Sequence, residues 1–337
     1  MSKALGLLMA LTLAVQALPA FAQSIDLSGH QEPSGAITVY HHGDTVDPYF
    51  ATKALLMMGK GEQARRQAFA WIDWVRKYQS PEGLFSRYTR PAGGKWENSA
   101  PADADDAMLA LWLQLLYRTA PDTGLPEAWL SSASNASRQL EALYMADKGI
   151  YQISASLPVG LLMDNIEIYD AFSSMARDMR RMGQFSLATR YQNKADMLRA
   201  SITAVFYDSV HGEYLVSTQK RDAVPAFYPE AVAQLFPVMY RLLESQELAK
   251  AYQEWMKAND QLWFSQKTED FPWGLIAITA IEMDDVARAS CWAQRSEPLR
   301  YSARWNVVED VALQIVKISL KRSPEASKIP CVGSDLL

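Results

Sequence analysis

The sequence predicts an all-α protein, a toroid of helical hairpins. Three observations carry this. Amphipathic segments with 3.6-residue periodicity follow one another along most of the chain. At the start of every other one sits an acidic residue or cluster: Asp44/Asp47, Asp103/Asp105/Asp106, Asp164/Glu167, Glu230, Glu269/Asp270 and Glu309/Asp310. A third is a repeated turn of Gly, any residue and an aromatic at Gly83-Leu84-Phe85, Gly149-Ile150-Tyr151 and Gly212-Glu213-Tyr214. The three glycines are 66 and 63 residues apart, a period suited to a helical hairpin plus a loop. Helices alternating in this way can close into a ring whose inner members aim their acids into one mouth.

Met1 to Ala22 reads as a secretory signal: Lys3, an apolar run from Ala4 to Val15, and the small-x-small site Ala20-Phe21-Ala22. The run is shorter than the ~20 residues that span a bilayer. Residues 23–337 are expected to form one exported barrel domain, periplasmic or secreted, with no membrane span. An irregular arm over 23–43 holds one strand-like run, Ile37 to Tyr40. The first helical pair is Ala51–Met58 and Ala64–Tyr78, broken at Gly59-Lys60-Gly61. Asp103–Tyr117 and Pro126–Tyr144 form the second pair. Asp164–Met182 and Phe185–Phe206, broken at Gly183, form the third. Tyr228–Leu243 with Gln246–Met256, then Pro272–Ile281 with Asp285–Trp292, give the fourth and fifth. Trp305–Leu320 is a sixth inner helix, its outer position missing or filled by the tail after Leu320.

The net charge is −5 with no basic stripe, which argues against nucleic acid. Ten Trp and fifteen Tyr suit sugar stacking and core packing equally. Cys291 and Cys331 can pair in an oxidising compartment or stay as buried thiols. His41 and His42 are adjacent and lack further ligands, and no phosphate-cradling loop is present, so neither metal nor cofactor is expected. Oligomeric state is not encoded in any visible pattern.

The strings Val46-Asp47-Pro48-Tyr49-Phe50-Ala51, Asp103-Ala104-Asp105-Asp106-Ala107, Asp164-Asn165-Ile166-Glu167-Ile168-Tyr169, Tyr228-Pro229-Glu230-Ala231-Val232-Ala233-Gln234-Leu235 and Phe271-Pro272-Trp273-Gly274 carry a resemblance. They are similar to the inner-helix starts of the six-hairpin glycosidase superfamily, the (α/α)6 toroids, including bacterial members without assigned activity. The resemblance implies a glycoside hydrolase of the inverting kind, acting on a polysaccharide or oligosaccharide.

Glycoside hydrolysis needs one protonated and one ionised carboxyl. Crowded carboxylates raise one another's pKa, while helix starts stabilise the ionised form. The catalytic candidates are Asp106, Asp103 and Glu167. Glu167 is expected to be the acid, against an apolar wall of Ile166, Ile168 and Tyr169, and Asp106 the base. Asp47, Tyr49, Asp164, Tyr169, Tyr228, Glu230, Asp270 and Trp273 are candidates for holding substrate. Each single acid can also be read as a helix cap, and Asp164 with Glu167 has the spacing of a capping box. Asp103-Ala104-Asp105-Asp106 holds more acid than one cap requires. It also matches the Asp-x-Asp-Asp acid of class II terpene cyclases, but the chain is short for a two-domain cyclase. A non-catalytic polysaccharide-binding or scaffold protein of an export or biofilm system is the alternative. The acidic mouth disfavours uronate-cleaving lyases by like-charge repulsion.

Overall fold

The computed structural model describes residues 25–219, 226–267, 270–322 and 331. The signal-like segment, Glu269 and most of the tail after Arg322 lie outside the described residues. Eleven α-helices are present among those described: α1 (Pro48–Met57), α2 (Glu62–Val75), α3 (Asp105–Thr119), α4 (Glu127–Ala142), α5 (Leu162–Arg181), α6 (Phe185–Phe206), α7 (Val232–Met239), α8 (Ser245–Ser265), α9 (Gly274–Glu282), α10 (Val286–Ser296) and α11 (Val307–Arg322).

The odd-numbered helices form a closed ring. Each packs on the next odd helix, and α11 closes on α1. The even helices lie outside, each against the inner helix of its own hairpin. The sequences differ accordingly. In α3 nearly every side chain from Asp106 to Leu116 is buried, as expected of a helix surrounded on all sides. In α4 burial is confined to a stripe of Trp129, Ser132, Ala133, Ala136 and Leu140. None of the described helices is long and apolar enough to cross a membrane.

The sixth outer position is crossed by the N-terminal arm. Asp26 exchanges two hydrogen bonds with Gln314 of α11, and Val307 N donates to Val39 O. On the other side Gln63 Nε2 donates to Ile25 O and Gln31 Nε2 to Gln67 O, both on α2. Leu27 and Ile37 are buried in the seam between them. Two expectations are corrected here. Ile37 to Tyr40 is not a strand but makes one isolated bridge, Gln31 with Ile37. The segment beginning at Tyr228 starts with a π-helical turn, Phe227–Ala231, before α7.

Short strands decorate the hairpins. β1 (Thr45–Val46), β2 (Ser86–Thr89) and β3 (Glu97–Pro101) make an antiparallel sheet in that order, beside the start of α1. β4 (Tyr144–Met145) pairs with β5 (Ile150–Tyr151), and β6 (Tyr207–Asp208) with β7 (Glu213–Tyr214). These two ribbons are the Gly-x-aromatic turns, and they share a register, Tyr144 opposite Tyr151 and Tyr207 opposite Tyr214. Gly149 has φ 71°, and a Cβ there would lie 2.4 Å from Ser201 Oγ, so the turn admits no side chain. An inner-helix amide clamps each aromatic. Asn165 accepts from Tyr151 N at 2.7 Å and donates to its carbonyl at 2.9 Å; Gln234 does the same for Tyr214 at 2.8 and 2.7 Å.

Cys291 and Cys331 form a disulfide that ties the tail to α10.

Candidate active site

All the inner helices run in one direction, so their starts gather at one end of the ring. A cleft of about 290 Å³ opens there, near the size of a small-ligand pocket. Asp47, Tyr49, Asp103, Asp164, Tyr228, Asp270 and Trp273, all expected from sequence, line it. Lys53, Arg87, Asn306 and Glu309 line it as well.

Each wall residue is held by local chemistry. Asp47 caps α1, its Oδ1 accepting from Tyr49 N at 2.9 Å, and it is buried, which raises its pKa. Asp103 precedes α3, and its exposed carboxylate lies 3.8 Å from Arg87. Asp164 sits in the first turn of α5, with Oδ2 buried and without a hydrogen-bond partner among the described residues. Burial pushes its carboxyl well above the usual range; the charges of Asp106, Glu167 and Asp103 add to this and Lys53 opposes it.

Asp270 fixes the opposite lip. Its carboxylate accepts from Phe271 N and from Trp273 Nε1, each at 2.8 Å. Trp273 has φ 59°, a left-handed conformation that costs a bulky residue energy and recurs at functional sites. Its ring meets that of Tyr228 at 5.1 Å, tilted by 32°, and Tyr228 is 46% exposed, so the pair offers aromatic surface to the cleft. Gly274 then begins α9. A Cβ there would lie 2.9 Å from Glu309 Oε2, so glycine lets the backbone approach that carboxyl. Gly274 N donates to Glu309 Oε2 at 2.8 Å. Burial nonetheless raises the Glu309 carboxyl to about 8, the Gly274 hydrogen bond opposing and Asp270 adding repulsion.

Beneath the cleft lies a second layer. Glu167 receives hydrogen bonds from Tyr49 Oη at 2.9 Å and Tyr240 Oη at 3.1 Å, and a salt bridge from Lys53. Lys53 also donates to Tyr49 Oη at 2.8 Å. Burial, then the charge of Glu167, keeps both phenols well above their ordinary pKa, so they remain donors. Asp106 is fully buried; its Oδ1 accepts from Ala107 N at 2.8 Å and its Oδ2 has no partner among the described residues. Burial raises it to about 8, with Glu167 and Asp105 adding repulsion.

Several expectations are corrected by this layering. Glu167 is not against an apolar wall: an ammonium and two phenols engage its carboxylate, and it is not on the cleft surface. Nor is it a capping-box partner, since Leu161 is the N-cap of α5. Asp106 stands in the first turn of α3, but loss of solvation outweighs the helix start and favours its neutral form. Tyr169 is half-buried against the core, and Glu230 accepts from Ala226 N at 3.1 Å within its own turn; neither lines the cleft. Sequence reasoning missed Lys53, Arg87, Asn306 and Tyr240. Lys53 carried a readable signal, a lysine one turn after Tyr49 on the face that α1 buries. Asn306 Oδ1 accepts from the backbone N–H of Val308 and Glu309, starting α11 and orienting Glu309.

The ring is the (α/α)6 toroid that the sequence predicts. Solved structures with this fold include a glycosidase (TM-score 0.57, 13% identity, covering 88% of this chain and 94% of that one). An alpha-amylase from Clostridium perfringens superposes with TM-score 0.56 at 12% identity, over 87% of this chain and 94% of that one. A D-mannose isomerase does so with TM-score 0.51 at 12% identity, over the same shares. At these identities the likeness establishes the fold and not the reaction. No family model matches the sequence, and no curated protein matches it at the sequence level.

Proposed function

We propose that the protein is an exported glycoside hydrolase that cleaves a polysaccharide or oligosaccharide with inversion at the anomeric carbon. The observation that carries this reading is the pair Asp164 and Glu309. Both line the mouth, and they come from α5 and α11, which stand opposite each other in the ring of six. The aromatic face of Tyr228 and Trp273 lies between them in chain order, suited to the apolar face of a sugar ring.

Glu309 is the general acid. Its carboxyl, raised to about 8, holds a proton at neutral pH and gives it to the leaving glycosidic oxygen. Asp164 is the base that takes a proton from the attacking water on the other face of the sugar. Burial raises the Asp164 carboxyl well above the usual range and Lys53 opposes this, so it fills the base role increasingly as pH rises and its ionised fraction grows. Inversion needs room for that water, a carboxyl separation of roughly 6.5–9.5 Å. Asp103 and Asp270 are placed to accept hydrogen bonds from sugar hydroxyls. Export is supported by the signal-like first 22 residues and by the disulfide, which persists in oxidising compartments. Glycosidase structures of the same fold support the sugar substrate.

The test is reducing-end release over a panel of neutral and acidic polysaccharides, with the first product's anomer read by proton NMR. Cleavage of at least one neutral polymer with inversion is expected. A blank across the panel would leave a binding protein; retention would exclude the water-activating role of Asp164.

A further inference from the structure

A second cavity, of about 180 Å³, opens at the end of the ring opposite the mouth. It lies among the last turns of α1, α3 and α5 and the first turns of α2. Four of its wall residues are cations: Lys60, Arg65, Arg118 and Arg181. Two carboxylates answer them. Asp178 binds Lys60 at 2.8 Å and Arg181 at 3.3 Å, and Asp122 binds Arg181 at 2.5 Å.

Arg118 is different. It is partly buried in the wall, which lowers its pKa, and its one hydrogen bond among the described residues is from Nη1 to Leu56 O. No carboxylate among the described residues forms an ion pair with it; Asp178 and Asp170 act on it from a distance. The helix C-termini around it supply only partial negative charge. Arg65 also forms no ion pair among the described residues and rests over the Phe69 ring at 5.6 Å. Gly61, the N-cap of α2, makes no side-chain cap hydrogen bond, and Ala64 in the first turn of that helix lines the same cavity.

A guanidinium in a cavity wall with no carboxylate paired to it keeps its remaining N–H groups available to a ligand. Its planar fork matches two oxygens of a tetrahedral oxyanion, and Lys60 and Arg65 stand at the rim to complete the shell. We propose that this cavity is a binding site for a phosphate or sulfate group, separate from the mouth and independent of the reaction performed there.

The test is calorimetric titration of inorganic phosphate, and separately of sulfate, into the full chain at low salt. Saturable one-to-one binding is expected, with a rise in melting temperature. Arg118→Met should weaken it by about 10- to 100-fold, the effect of losing a hydrogen bond to a charged group. Should Arg118→Met fail to fold, the exposed rim pair Lys60→Glu/Arg65→Glu carries the test and should abolish binding. Asp164→Asn at the mouth should leave it intact. A stronger response to phosphate than to sulfate assigns the site to a phosphate group, and the reverse to a sulfate group. No saturable binding of either ion, or affinity unchanged in the rim pair, would overturn the proposal.

Discussion

At the residue scale, the two carboxyls raised to about 8 make stability depend on pH even without a substrate. Asp106 and Glu309 are neutral in the fold at pH 7 but ionise near 3.8 and 4.5 when exposed. The folded state therefore holds more protons than the unfolded chain between those values and about 8. The stability they contribute is fully present below about 4 and is lost as pH rises through 8. Melting temperature should fall as pH rises from 5 to 8, and Asp106→Asn and Glu309→Gln should each flatten that slope. A slope unchanged in both variants would show that these carboxyls do not hold their protons. Lys53 makes the opposite case. Removing it leaves Glu167, 1% exposed, without its cation, so Lys53→Met should cost about 3–5 kcal/mol in denaturant unfolding. Adding Glu167→Gln should recover much of that loss, because the uncompensated charge is gone.

At the element scale, the repeated ribbon and its amide clamp hold each outer helix to the next inner one. Asn165 makes three hydrogen bonds from a fully buried side chain, including one from Nδ2 to Leu161 O at 2.8 Å. Asn165→Ala should cost about 1–3 kcal/mol for each backbone group left unsatisfied. Gln234→Ala, at a half-buried position, should cost less; equal losses would mean that burial does not set the penalty. The ring's elements were legible because periodicity survives in each: α6 has the expected bounds, and the Gly-x-aromatic turns mark three junctions. Others were not. α8 runs on to Ser265, past the apolar pattern that ends at Met256. Strands of two residues carry no period to read. The disulfide, left open by sequence, closes a loop of 40 residues, and its reduction should cost about 2–4 kcal/mol.

At the scale of the molecule, the sequence revealed where the acids gather but not their depth. Seven expected residues share one mouth because parallel inner helices put every acidic start at one end. Depth depends on which side of a helix turn faces the axis. Asp164 and Glu167 are one turn apart on α5, yet the first reaches the cleft and the second lies beneath it with Lys53. Glu309 belongs to an acidic pair visible in the sequence, but only the approach of Gly274 shows which member faces the site; Asp310 turns instead to Arg300 at 2.8 Å. The central claim is that Asp164 and Glu309 work as a pair across this mouth. Its most direct measurement is the rate of reducing-end release by Asp164→Asn and Glu309→Gln, on whichever polysaccharide of the panel proves to be a substrate and with folding checked by melting temperature. Each variant should lose about 10²–10⁴ in kcat while remaining folded. Full activity in either folded variant would contradict the account.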